Sequence, residues 1–242
     1  MRLYIGVDDT DHIESDRGTG KLARWFEKEV PSGGRVWGVV RQQLLVHPDV
    51  PYTSHNSAAC IVVDLPNGAM VREISRRIVA HVERHADEGS DPGVAVVPED
   101  DPGLQEMIAF GLDCTRRVVT RKDAQETAGR AFLRGLGGTN DGIIGALAAV
   151  GLTASGWSGR FIEFGRLRDF PDSVSVEDLA RAHIHVVSMD RDARVPGETE
   201  WIRTNGWLRP RLFGSRAVLP VSPGEDGVWV ASGGKRSRPH SP

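Results

Sequence analysis

A mixed α/β fold is predicted by three features of this 242-residue sequence. Short β-branched apolar runs recur, apolar residues at helical spacing lie between them, and a glycine-rich loop opens onto a helix of small residues. Taking the elements in order, RLYIGVD (2–8) is an apolar run that ends in carboxylates and reads as a buried strand. Leu22, Phe26 and Val30, spaced i, i+4, i+8 with Trp25 beside them, predict a helix over Lys21 to Val30. Val36 to Val46 and Ala58 to Leu65 are rich in β-branched residues and predict strands. Between them HPDVPYTSHNS, with two prolines and several polar residues, predicts a loop. Val71, Ile74, Ile78 and Val82 mark the apolar face of a second helix, and GVAVVP (93–98) predicts another strand.

A helix is expected over Lys122 to Leu136, with Ala128, Ala131 and Phe132 inward. GLGGTNDGIIGALAAVGL (135–152) then reads as loop and apolar helix. RFIEFGR, a helix near Val176 to Ala182, and IHVVSMD supply strand, helix and strand. Arg191 to Asn205 reads as a loop before GWLRPRLFGSRAVLPV, and GGKRSRPHSP (233–242) as a disordered tail.

Net charge is −3 and the pI about 6.2, without the basic excess of a generic nucleic-acid binder, although a local basic face is compatible with that balance. No apolar stretch approaches the ~20 residues that span a bilayer. The start, MRLYIGVDDTD, turns acidic too early for a signal peptide, so cytoplasm is the expected compartment. Cys60 and Cys114 are the only cysteines and stand far apart, which argues against a paired-cysteine zinc site.

Asp8, Asp9 and Asp11 crowd three carboxylates at the end of the first strand. Oxygen ligands of this kind suit Mg²⁺ bound together with substrate phosphates. The competing reading is a solvated turn with Asp as a helix cap. Gly18-Thr19-Gly20-Lys21 heads the first predicted helix, where backbone N–H groups and the helix N-terminus favour phosphate. It is not a Walker A loop, since Ser15 holds the first glycine position and Leu22 follows the lysine. Combined with the acidic loop it suggests carboxylates for metal and amides for phosphate. Gly137-Gly138-Thr139-Asn140-Asp141-Gly142 also opens onto a helix, and either phosphate binding or tight packing would explain it. His81 and His85, four apart, read as a solvated helix face rather than a metal pair, and His183 and His185 as neighbours on one face of a strand.

Several segments together resemble the archaeal tRNA-isoleucine 2-agmatinylcytidine synthetases. They are IGVDDTD (5–11), the Gly18-Thr19-Gly20 region, VHPDVPYTSHNSAA (46–59), DPGVAVV (91–97), DGIIGALAAVG (141–151) and PRLFGSR (210–216). The resemblance implies a kinase-like Mg-ATP domain over 1–121 and a ferredoxin-like domain over 122–232 that helps bind an amine such as agmatine. It implies phosphorylation of a carbonyl oxygen, which the amine then displaces. Asp8, Asp9 and Asp11 would hold Mg²⁺ and ATP, Gly18, Thr19, Gly20 and Lys21 would line the ATP site, and Thr19 would be autophosphorylated. Asn56, Asp141, Gly142 and Arg216 fall in the matching segments, and Asn140 immediately before one, as substrate-binding candidates. The family has Cys-Thr-Thr-Tyr where this chain has Gly18-Thr19-Gly20-Lys21, and it continues into an oligonucleotide-binding domain and a zinc ribbon. Weak, non-specific tRNA affinity is therefore expected here, and the acceptor is tRNA or a small nucleoside-like molecule. A non-catalytic nucleotide or RNA binder is the alternative from a different class.

Overall fold

The computed structural model describes residues 1–12, 15, 17–50, 56–204, 206–224 and 226–233. Residues 51–55 of the proline-rich segment and 234–242 of the expected tail lie outside them. The first strand, β1 (Arg2–Asp8), sits between β3 (Ser57–Asp64) and β4 (Gly93–Pro98), antiparallel to both. Buried on both faces, these strands need apolar residues at nearly every position, hence their unbroken valine and isoleucine runs. Leu3, Ile5 and Val7 point to a core shared with α1 (Thr19–Trp25) and α2 (Val71–His85). A 3₁₀ turn, Phe26–Glu29, continues α1 and supplies buried Phe26, so the helix expected to Val30 tightens in its last turn. The strand β2 (Arg35–Gln43) pairs with β3 on the side away from β1.

The opposite face of the sheet is covered by α5 (Gly142–Ala154), apolar all round because it is sandwiched between strands and α3 (Leu104–Asp113). Its small residues let backbones meet. A Cβ on Gly6 of β1 would lie 1.9 Å from the Ala146 carbonyl oxygen, and one on Gly151 would lie 1.9 Å from that of Met107. Tight packing is thus what the glycines and alanines of this helix do.

The stretch before α5 departs from expectation. A capping box between Thr120 and Asp123 starts α4 (Arg121–Ala128), and Gly129, at φ 54°, ends it. The chain then runs as β5 (Phe132–Gly135) beside β4, so the helix expected over 122–136 is half helix and half strand. Leu133 packs on the α5 side and Phe132 on the α2 side, the alternation of a strand. Hence β5 and α5, expected in the second unit, pack with the first.

From residue 160 onward a third apolar cluster forms. It is built on β6 (Arg160–Glu163), β7 (Ser173–Ser175), α6 (Val176–Arg181), β8 (Ile184–Ser188), β9 (Trp201–Arg203), β10 (Arg211–Phe213), β11 (Arg216–Pro223) and β12 (Trp229–Ala231). Because β6 bonds to β2 on one side and β10 on the other, the sheet is continuous, in the order β5-β4-β1-β3-β2-β6-β10-β11-β12-β9-β7, with β8 parallel to β11. The segment 191–205 is therefore not all loop, since it contributes β9. Two histidine expectations also change. His81 is buried, its Nε2 3.0 Å from the Leu22 carbonyl oxygen and its ring against Phe26, so it is a core residue. His183 adopts φ 59° in the turn before β8, so it does not share a strand face with His185. Among the described residues no helix is long and apolar enough to cross a membrane.

Candidate functional site

A large cleft of about 1150 Å³ opens where the C-terminal end of β1, the start of α1, the β2–β3 loop, and the starts of α4 and α5 meet. The alternation of β1 puts Val7 inward and leaves Asp8 at the mouth, against the first turn of α5. A Cβ on Gly145 would lie 1.7 Å from the Asp8 Oδ2, so the glycine is what admits the carboxylate. Burial, reinforced by the charge of Asp9, pushes the Asp8 carboxyl up to about 7, although the Asp9 N–H donates to it. Asp9 follows at φ 52°, a left-handed conformation that turns the chain out of the strand. Burial and then the charges of Asp91, Asp11 and Asp141 push Asp9 up to about 6.

Asp11 behaves differently. Its Oδ1 accepts from the Thr19 N–H at 3.0 Å and from the Thr19 hydroxyl at 2.9 Å. The Thr10 hydroxyl donates in turn to the Thr19 oxygen at 3.1 Å. This relay joins the acidic loop to the head of α1 and buries Thr19. The three carboxylates accordingly do not converge as one ligand set, and among the described residues no group of three His, Cys, Asp or Glu could hold a metal ion. Asp8 and Asp9 do fit a cation shared with a ligand. Burial and mutual repulsion disfavour their charge, a divalent ion offsets both, and Mg²⁺ commonly takes one or two carboxylates and completes its shell with phosphate and water.

The loop amides are less available than the sequence suggests. The Thr19 N–H is taken by Asp11. The N–H groups of Thr139, Asn140 and Asp141 all donate to the Asp91 carboxylate, at 3.0, 2.7 and 3.0 Å. An internal anion thus occupies the position expected for phosphate in the second glycine-rich loop. Gly142 is a packing residue, since its Cβ would lie 2.1 Å from the Asp91 carbonyl oxygen.

Of the residues singled out in the sequence, Asp8, Asp9, Asp11, Gly18, Thr19, Gly20, Lys21, Asn56, Asp141 and Gly142 all line the cleft. Asn56 secures the β2–β3 loop, its Nδ2 donating to the Leu45 carbonyl at 2.6 Å. Asn140 and Arg216 do not line the cleft; Arg216 is exposed at the start of β11. Sequence reasoning missed the cationic wall, where Arg24, Arg41, Arg117, Arg121, Lys122 and Arg168 join Lys21. These cations come from five separate segments, and no local spacing announces them. Most are paired, as Arg24 and Arg168 are with Glu163 and Arg117 is with Asp113. Lys21 and Arg41 form no ion pair among the described residues; Lys21 rests over Trp25, and Arg41 donates to the Ser57 hydroxyl at 3.0 Å. The cleft is therefore lined both by carboxylates and by cations, two of which, Lys21 and Arg41, have no carboxylate partner among the described residues.

Three solved structures align with 62% of the chain and with 36% of their own length. One is a tRNA fluorescent labeling enzyme, at 30% identity and TM-score 0.53. The second is TiaS, an agmatidine synthetase acting on an isoleucine tRNA, bound to that tRNA and ATP, with the same identity and score. The third is TiaS with the tRNA, AMPCPP and agmatine, at 31% and 0.50. The chain thus spans about a third of the length of these relatives. No protein-family model and no curated protein matches it.

Proposed function

We infer that this chain, related to the tRNA agmatidine synthetases over 62% of its length, uses ATP in the cleft to modify a nucleic-acid or nucleoside substrate. The observation that carries this reading is the presence of two charge sets in one cleft. Asp8 and Asp9 line it together with Lys21 and Arg41, which form no ion pair among the described residues. A triphosphate needs both, a cation held by carboxylates and direct neutralisation by lysine or arginine. Mg²⁺ held by Asp8 and Asp9 would supply charge neutralisation at the phosphate oxygens.

The relay from Thr10 through Thr19 to Asp11 is a nucleophile hydrogen-bonded to a base. In the reaction proposed here, the Thr19 oxygen attacks the γ-phosphorus as its proton passes to Asp11. The bond from that phosphorus to the β-bridging oxygen breaks, and ADP leaves with the electron pair. A carbonyl oxygen of the cytidine type then attacks that phosphorus, the bond to the Thr19 oxygen breaks, and Thr19 takes back the proton held by Asp11. An amine such as agmatine adds at the carbonyl carbon and expels the phosphate with the electron pair of the C–O bond. Phosphorylation makes that step feasible by converting a poor leaving oxygen into a good one.

Two measurements test this. In calorimetry Asp9→Asn is expected to weaken Mg-ATP binding at least about ten-fold, the loss of one charge-assisted contact; unchanged affinity removes the metal assignment. After incubation with Mg-ATP, mass spectrometry is expected to find phosphate on Thr19 in the parent chain and none there in Asp11→Asn. Phosphate found only on other residues would reduce Thr19 to a fastening between the acidic loop and α1. ATP turnover with tRNA, nucleosides and polyamines, each added separately, identifies acceptor and amine.

A further inference from the structure

Strand register places three arginines in one row. Arg41 on β2 stands opposite Arg160 on β6, and Arg160 stands opposite Arg211 on β10. Directly opposed residues share a face of the sheet, and like charges there destabilise it. Arg209, two residues before Arg211, raises the charge further and stacks on Trp207 at 4.7 Å. Among the described residues none of the four forms an ion pair with a carboxylate. Burial and then the neighbouring guanidinium groups lower the affinity of Arg41 and Arg160 for their protons. Four adjacent cations without anions are a costly arrangement in a chain of net charge −3.

Next to the row stands an apolar feature equally out of place. Phe213 lies two residues beyond Arg211 on the same strand face and is 55% exposed. Trp157, 63% exposed, meets it edge-on with ring centroids 4.9 Å apart. Arginines with adjacent exposed rings are what an unpaired polynucleotide requires: cations for its phosphates and rings on which its bases stack.

We propose that the β2–β6–β10 face is a binding track for a single-stranded polynucleotide, with Arg160, Arg209 and Arg211 on the phosphates and Trp157 and Phe213 under the bases. Arg41 belongs both to this row and to the cleft wall, so the track leads from the surface into the cleft. The assignment goes beyond the ATP reading and does not depend on it.

Fluorescence anisotropy of the full chain with labelled 12-nucleotide single strands, RNA and DNA in separate arms, tests the track between 25 and 200 mM salt. Arg160→Gln/Arg211→Gln is expected to reduce the slope of log K against log salt by about one to two, and to weaken binding about ten-fold or more at the lowest salt. Trp157→Ala is expected to weaken binding at least about five-fold at all salt concentrations. All three substituted side chains are exposed, and Mg-ATP affinity by calorimetry should stay unchanged. Parent-like affinity and slope in both variants would overturn the track, as would a duplex bound as tightly as the single strand. Binding in the RNA or the DNA arm supports it and identifies the sugar. Calorimetry reads the cleft and anisotropy reads the row, so each assignment can fail without the other.

Discussion

Asp8→Asn is expected to stabilise the nucleotide-free chain while abolishing its Mg-ATP affinity. The carboxyl has its pKa raised to about 7 in the fold, from 3.8, chiefly by burial. The folded state therefore binds the proton more tightly than the unfolded state does. Stability from this group is fully present below the unfolded value, falls as pH climbs from about 4 to 7, and is absent above that. At pH 8 the ionised carboxylate costs on the order of a few kcal/mol, which asparagine, of the same shape against Gly145, does not. Melts in a chelator should show Asp8→Asn several degrees above the parent at pH 8 and much closer to it at pH 4. A lower melting temperature at pH 8 would mean that the carboxylate holds the fold together rather than straining it. The combination of greater stability with lost binding is the signature of a residue kept for function.

The second large effect concerns the contact between β1 and α5. Gly6→Ala is expected to cost about 3 kcal/mol or more, because the new methyl group would meet the Ala146 carbonyl at 1.9 Å and backbone cannot rotate aside. Gly68→Ala, whose Cβ finds only the Met1 sulfur at 3.4 Å, is the control and should change stability by less than about 1 kcal/mol. Urea denaturation of both variants checks this. A Gly6→Ala protein as stable as the control would show that α5 can shift away from the sheet.

Much of the first half was legible because burial on both faces imposes unmistakable runs. RLYIGVD and GVAVVP are strands to the residue, and the small-residue run 142–154 is the covering helix. Between 98 and 122 nothing was assigned, although Leu104, Met107 and Phe110 face the core of α3. That helix owes its position to reciprocal glycine contacts with α5, which periodicity does not register. The 122–136 error has a local cause: Gly129 divides a sequence that has helical composition on one side and strand alternation on the other. In the site, the acidic loop was legible because its carboxylates are adjacent in sequence. The roles within it were not, because only the fold shows that Asp11 turns to Thr19. Asp91 was similarly invisible, being an ordinary turn aspartate until the 139–141 amides close around it. The cations of the cleft are brought together from helices, loops and β2, far apart in sequence, and the arginine row depends on register between distant strands.

The central position of β1 also has a consequence for synthesis. It is made before β3 and β4, and its cover α5 follows roughly 130 residues later. At ribosomal speeds that interval is on the order of ten seconds. Throughout it β1, β3 and β4 can associate, but one face of that sheet remains greasy and uncovered, and the outer edge of β4 has no partner until β5 arrives. Such an edge is a template for pairing with other nascent chains. Transient exposure of an apolar face is thus built into the order in which this chain's segments appear, and expression fragments that end before α5 would carry the same exposed face permanently.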